Sequence, residues 1–399
     1  MTSGMRWYPA AAMRPFPETT AAFVSCPDRR GTGSEKWDRW AGRDVLPLWV
    51  ADMDFRTADE VLAALHDRVD HGVFGYTHEP PGFRPALADH LSMRHGWQID
   101  PDWIVAVPGV VTALALTARL LTDRDDRILT LTPVYPPFLT LPGLAGRRSA
   151  RVPLAPAPDA WRIDWNALEQ AAGSSAAKLL WLCHPHNPTG TVWKKADLVR
   201  LADVAERHSL TVVSDEIWAD LVLDDDAGHV PFASLDHPAA RRAITLVAPS
   251  KTWNLAGLSC AAAIVTDAGV RRRWRAAGEG LVPMVNPLGY AAAEAAWRHG
   301  EAWRQELLGI LRRHRALVIE RVATIPGLAC RPWQATYLAW IDCLATGVAD
   351  PQAACEAAGL GPSDGRDFGL PGFIRLNTAC PTDRLLAALD RLAAAFARR

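Results

Sequence analysis

The sequence has 399 residues, 49% of them hydrophobic, and a formal net charge of −1 at pH 7. That length leaves room for two or three domains around a sizeable core. The near-neutral balance, without a basic block or an acidic tail, argues against nucleic acid or an anionic membrane surface as the main partner. No run of 18 apolar residues offers a membrane span. Seven cysteines lie scattered without a CxxC spacing, which fits reduced thiols in a cytoplasm.

Residues 1–25 lack the charged start and long apolar stretch of a signal peptide and are expected to form a flexible leader. DEVLAALHDRVDHG (59–72) has apolar residues at helical spacing and a glycine stop. TALALTARLLTDRDD reads as a second helix, and DRILTLTP as a short strand ending at proline. VPLAPAPDAW, rich in proline and alanine, reads as a connection. AAKLLWLCHP (176–185) is a buried strand closed by the loop HNPTG. KADLVRLADVAERHSL is an amphipathic helix, and TVVSDEI and AITLVAPS are strands. This rhythm predicts an α/β fold with a mostly parallel central sheet. From about residue 300 longer helices alternate with TYLAWID and GFIRLN, which predicts a smaller α+β domain. The expected division is a large domain over 59–295 and a small domain over 296–399, with 26–58 belonging to the small one.

Five lysines stand against 38 arginines among 43 basic residues. One of the five, Lys251, lies in the apolar stretch APSKTWNLAGL. A desolvated lysine can lose its proton and act as a nucleophile or base, which arginine cannot do. Asn187, Asp215 and Lys251 each follow an apolar strand. In an open α/β sheet, ligands bind at the carboxyl ends of strands. PGVVTALALT (108–117) sets a Pro-Gly turn before a helix, so the amides of Val110, Val111 and Thr112 would suit a phosphate. His184 and His186 flank Pro185 without a third ligand at a suitable spacing, and no metal is expected.

HNPTG (186–190), SDEIWADL (214–221) and SKTWNLAG (250–257), in that order, resemble the fold-type I, pyridoxal-phosphate-dependent aminotransferase class I/II superfamily. The resemblance implies that Lys251, next to Ser250, forms the Schiff base with pyridoxal 5'-phosphate. It implies that Asp215 pairs with the pyridinium nitrogen, and that Asn187 bonds the phenolic oxygen. A ring that is to draw off electrons needs its nitrogen kept protonated, hence the carboxylate. Tyr135 matches an aromatic stacked on the ring. Tyr76, in HGVFGYTH, matches a tyrosine reaching the phosphate of a neighbouring subunit's cofactor, which implies a homodimer with shared active sites. Lys251, Tyr135 and Tyr76 form the implied catalytic set. Arg375, in GFIRLNTACP, matches the arginine that grips a substrate α-carboxylate, a task suited to a guanidinium fork. Many relatives carry a phosphate-binding arginine eight residues after the lysine; here that residue is Ser259.

PLWVADMDF (47–55), with RRGTGSEKWD and HGVFGY, resembles the MalY/PatB family of cystathionine β-lyase-like C–S lyases. Trp49, Ala51 and Asp52 would then line the substrate entrance, with the backbone near the substrate carboxylate. The implied reaction is α,β-elimination from an S-substituted L-cysteine, giving a thiol, pyruvate and ammonia. Trp218 departs from the pattern, because lyase relatives commonly have histidine there. Indole donates one hydrogen bond and accepts none. Trp218 either faces the cofactor or turns into the core. Transamination, or oxidative or decarboxylating deamination, stays open beside elimination. A non-enzymatic binding role would be favoured by loss of Lys251 or Asp215, and both are present.

Overall fold

The computed structural model describes residues 23, 26–158, 160–225 and 227–397. The expected leader, 1–25, lies outside the described residues except for Phe23, which is buried against Phe55 and Trp303.

Fourteen strands are described: β1 (Leu46–Pro47), β2 (Ile104–Val107), β3 (Arg127–Thr132), β4 (Arg148–Pro156), β5 (Trp161–Ile163), β6 (Ala177–Cys183), β7 (Thr211–Asp215), β8 (Ile244–Val247), β9 (Ala261–Val265), β10 (Ala329–Cys330), β11 (Leu338–Asp342), β12 (Leu360–Gly361), β13 (Ser363–Asp364) and β14 (Phe373–Asn377). An eight-stranded sheet runs β2-β9-β8-β7-β6-β3-β4-β5. The pairs β4·β3, β3·β6, β6·β7 and β7·β8 are parallel, whereas β9 is antiparallel to both neighbours. The mostly parallel α/β sheet is therefore as expected. Its central strands are buried along their length, β8 and β9 at every residue, because helices cover both faces.

The expected helices form at Asp59–Asp70, Val110–Leu121 and Lys195–Arg207. The proline-rich VPLAP, expected as connection, is instead the end of β4, pairing with β5. β4 is the penultimate strand and β5 spans only three residues; near a sheet edge the hydrogen bonds that prolines cannot make are tolerated.

A second, antiparallel sheet runs β10-β11-β14-β13. The N-terminal β1 pairs in parallel with β12, Leu46 opposite Leu360. The long helix Glu301–Ala323 and the terminal helix Thr382–Phe396 belong to the same core cluster as Leu48, Met53 and Phe55. All seven cysteines are unpaired thiols. Among the described residues no helix is long and apolar enough to cross a membrane.

Candidate active site

The parallel strands β3, β6, β7 and β8 deliver their carboxyl ends to one edge of the large sheet. Tyr135 follows β3, Asn187 follows β6, Asp215 ends β7, and Ser250 and Lys251 follow β8. A cavity of about 280 Å³ opens there. It is lined by Ala51, Gly109, Val110, Val111, Tyr135, Asn187, Asp215, Trp218, Ser250 and Lys251, and also by Cys183, Ile217 and Ser259. The structure thus brings together most of the expected residues.

Lys251 is half-buried in the cavity wall. Burial, with Arg375 nearby, lowers its ammonium pKa to about 8, while Asp52 and Asp215 oppose the shift. Its Nζ donates to the Ala51 carbonyl at 2.7 Å. Asp215 is buried, and burial raises its carboxyl to about 7 against the Ile217 amide, which donates to Oδ1 at 3.1 Å. Among the described residues no cation stands at ion-pair distance from it. At the far wall the helix Val110–Leu121 begins after Gly109, whose extended backbone leads into it. The first amides of a helix have no partner within it, and Ser250 and Ser259 add hydroxyls beside them. Val110 and Val111 line the cavity, whereas Thr112 does not.

The loop after β6 is held in shape by Gly190, at φ +66°, where a Cβ would come within 2.6 Å of Trp333 Cβ. It presents Asn187 Oδ1 to Arg375 Nη1 at 3.0 Å. Arg375 is buried on β14, with Nη2 bonded to the Trp49 carbonyl at 2.8 Å and the guanidinium 4.6 Å from the Phe368 ring centroid. Burial lowers its pKa to about 10. Its Nε is buried without a partner, and among the described residues no carboxylate pairs with it.

The stretch 49–55 is a strap bound mainly through its backbone. Arg375 and Ser363 hold the Trp49 carbonyl, and Asn377 holds those of Val50 and Asp52. Lys251 and Tyr337 share the Ala51 carbonyl. Asn254 bonds both the amide and the carbonyl of Met53 and the carbonyl of Phe55. The Trp49 side chain points elsewhere, against Trp40 and under Arg39. Asp52 pairs with Arg29 at 2.6 Å. Asn377 was legible, since it shares a strand face with Arg375 two residues earlier. Asn254 lies inside SKTWNLAG, although nothing in that stretch singles it out, and Tyr337 and Ser363 carry no local motif.

Both alternatives for Trp218 meet in one geometry. The indole is buried in the core, edge-on to Tyr337 at 4.9 Å, and also lines the cavity with Lys251 Nζ 5.7 Å from its ring centroid. Tyr76 is fully exposed, in a segment without regular secondary structure beside exposed Val73 and Phe74, and does not reach the cavity of its own chain. His186 places its ring nitrogens on the carbonyls of Pro133 and Cys183, and His184 places Nε2 on that of Val230. Elsewhere His90 and His95 each bond one oxygen of Asp220, a satisfied buried triple.

Comparison with known proteins supplies the class. The family model for aminotransferase class I and II matches residues 43–392, and the chain belongs to that family. Within it the chain belongs with the MalY/PatB group. It is 36% identical to the cystathionine beta-lyase PatB of Bacillus subtilis (strain 168), over 92% of this chain and 98% of that protein. It is 31% identical to the protein MalY of Escherichia coli (strain K12), over 91% and 95%. Among solved structures, OvoB superposes with a TM-score of 0.91 at 43% identity, over 93% of this chain and 98% of that one. Cystalysin from Treponema denticola, which contains a pyridoxal 5'-phosphate cofactor, superposes at 0.89 and 31% identity, over 94% and 98%.

Proposed function

We propose that this chain is a pyridoxal-phosphate-dependent C–S β-lyase that cleaves an S-substituted L-cysteine to a thiol, pyruvate and ammonia. The observation that carries the reading is the pairing of a desolvated lysine with two uncompensated buried charges in one site. Among the described residues Asp215 has no cation at ion-pair distance and Arg375 has no carboxylate. Burying an unpaired charge is costly unless a ligand supplies its partner.

The residues fit the cofactor. Asp215 suits a protonated ring nitrogen, Tyr135 and Asn187 line the flank, and Lys251 stands within the same cavity. The amides of Val110 and Val111 with Ser250 and Ser259 suit a phosphate, and Thr112 adds a first-turn amide behind them. Tyr76, exposed and away from its own chain's cavity, is free to serve a partner subunit's site in a homodimer. Bound there, pyridoxal phosphate supplies a carbonyl that Lys251 engages and a ring that withdraws electrons from the substrate Cα. Arg375 holds the substrate carboxylate, its Nε being the one donor left without a partner. Asn187, already bonded to Arg375, fixes the angle of that fork. The Lys251 amine, released when the substrate amine takes its place and low enough in pKa to be neutral in part near neutral pH, takes the Cα proton at Nζ. The Cα=Cβ bond forms as the Cβ–S bond breaks, the thiolate leaves and takes up a proton, and water hydrolyses the released 2-aminoacrylate to pyruvate and ammonia. Ala51 closes the cavity on the side of the strap. The scattered free thiols fit a cytoplasmic enzyme.

The test is an amino-acid panel with the loaded protein, with and without a keto-acid acceptor. Pyruvate from S-substituted cysteines without an acceptor supports the reading. A strict need for the acceptor would make the chain a transaminase.

A further inference from the structure

We propose that Tyr337 is a positioning residue for Lys251: its phenol and the lysine amine share the Ala51 carbonyl, and the sharing holds the amine at the cavity without favouring its charged form. The proposal rests on the reading of Lys251 as the reactive lysine.

The Ala51 oxygen has two lone pairs, and both are taken. Lys251 Nζ donates at 2.7 Å and Tyr337 Oη at 3.0 Å. The two donors come from different sheets' neighbourhoods, Lys251 after β8 and Tyr337 just before β11, while the acceptor lies on the N-terminal strap. Tyr337 is 1% exposed and wedged edge-on against Trp218. Burial, with Asp52 adding and Arg375 opposing, keeps its hydroxyl well above the usual tyrosine range. It therefore stays a donor at every working pH.

A carbonyl is a neutral acceptor, so it orients an amine without the strong pull that a carboxylate exerts on an ammonium. The phenol weakens even that pull. Its hydrogen places positive charge beside the same oxygen, and away from bulk water that repels a second positive centre, the lysine ammonium, more strongly. A neutral amine feels the repulsion less than an ammonium does. Tyr337 thus disfavours protonation of Lys251 and fixes the oxygen that aims it. Without the phenol, the free lone pair stabilises the ammonium and the amine protonates more readily.

The test uses full-length protein stripped of cofactor. Pyridoxal 5'-phosphate is added, and the absorbance of the bound form is followed from about pH 6.5 to 9.5 around the ordinary lysine shift. Only neutral Lys251 reacts, so the rate in wild type rises through the lysine's own titration. In Tyr337→Phe the midpoint is expected to move up by about half a unit or more, slowing association about threefold near neutral pH. Tyr337→His, which keeps a ring donor, is expected to fall between the two and serves if the Phe variant does not fold. A midpoint unchanged in both variants overturns the proposal. So does a fall in rate that is equal at all pH values, which a purely structural role would give. If wild type shows no association dependent on Lys251, the cofactor reading itself fails, a result distinct from wild-type behaviour in the variants.

Discussion

Arg375 Nη1 donates to Asn187 Oδ1 over 3.0 Å, across 188 residues of sequence. One bond therefore ties the antiparallel sheet to the loop at the carboxyl edge of the large sheet. The residue assigned to the substrate carboxylate and the residue assigned to the cofactor flank are set by each other. Arg375 is also anchored on the Trp49 carbonyl and Ser363, so the strap, the small sheet and the large sheet meet on a single guanidinium.

Arg375→Lys should raise KM for amino-acid substrates about 10- to 100-fold, the loss of a charge-assisted fork. Lysine is a point charge and cannot keep Asn187, Trp49 and a carboxylate together. Steady-state kinetics check this. An unchanged KM would mean that the substrate carboxylate binds elsewhere.

Asp215→Asn keeps shape and burial but removes the charge. The loaded variant should lose kcat about 100-fold or more, in the range of other preorganised electrostatic groups, while the melting temperature of the cofactor-free variant holds or rises, because without the ring nitrogen Asp215 is a buried carboxylate with no cation beside it. Paired turnover and thermal-melt measurements separate the two effects.

Much of this site was legible in the sequence because it obeys local rules. Lys251, Asp215 and Asn187 each sit where an apolar strand ends, and parallel strands bring those ends to one edge. Arg375 was picked out by its match to the family's arginine, with the apolar strand around it in support. What was hidden depends on contacts across the chain. Tyr337 meets Ala51 over a separation of 286 residues and Ser363 meets Trp49 over 314; no periodicity encodes either. The side chains of the 49–55 stretch also misled, because the strap works largely through its carbonyls, and Trp49 turns its ring toward Trp40. In β4 the prolines concealed a strand that only its place near the sheet edge permits.

Stability should fall with acid. His184 is held down to about 3, and His186 and His314 to about 4, each first by burial. Their folded pKa lies below the unfolded value near 6.5, so between those limits the unfolded chain binds more protons and stability rises with pH. The loss begins as pH drops below about 6.5 and amounts to about 1 kcal/mol per histidine by pH 5.5. Asp220, held well below its usual range, adds a further loss at lower pH: burial alone would raise it, and the charges of His90 and His95 outweigh that. Urea melts at pH 7.5 and 5.5 check the sign; equal stability would contradict it.

Trp218→Ala should cost about 3–5 kcal/mol, since a buried ring between Tyr337 and the cavity is removed. A loss below about 1 kcal/mol in chemical denaturation would show that the wall collapses into the gap.

The most direct measurement follows thiol, pyruvate and oxygen together in one sample of loaded protein, with L-cystathionine and with a bulky S-alkyl-L-cysteine, beside Lys251→Ala. Elimination predicts equal thiol and pyruvate, no oxygen uptake, and no product from the variant. Oxygen uptake, substrate loss without thiol, or turnover by Lys251→Ala would contradict the account.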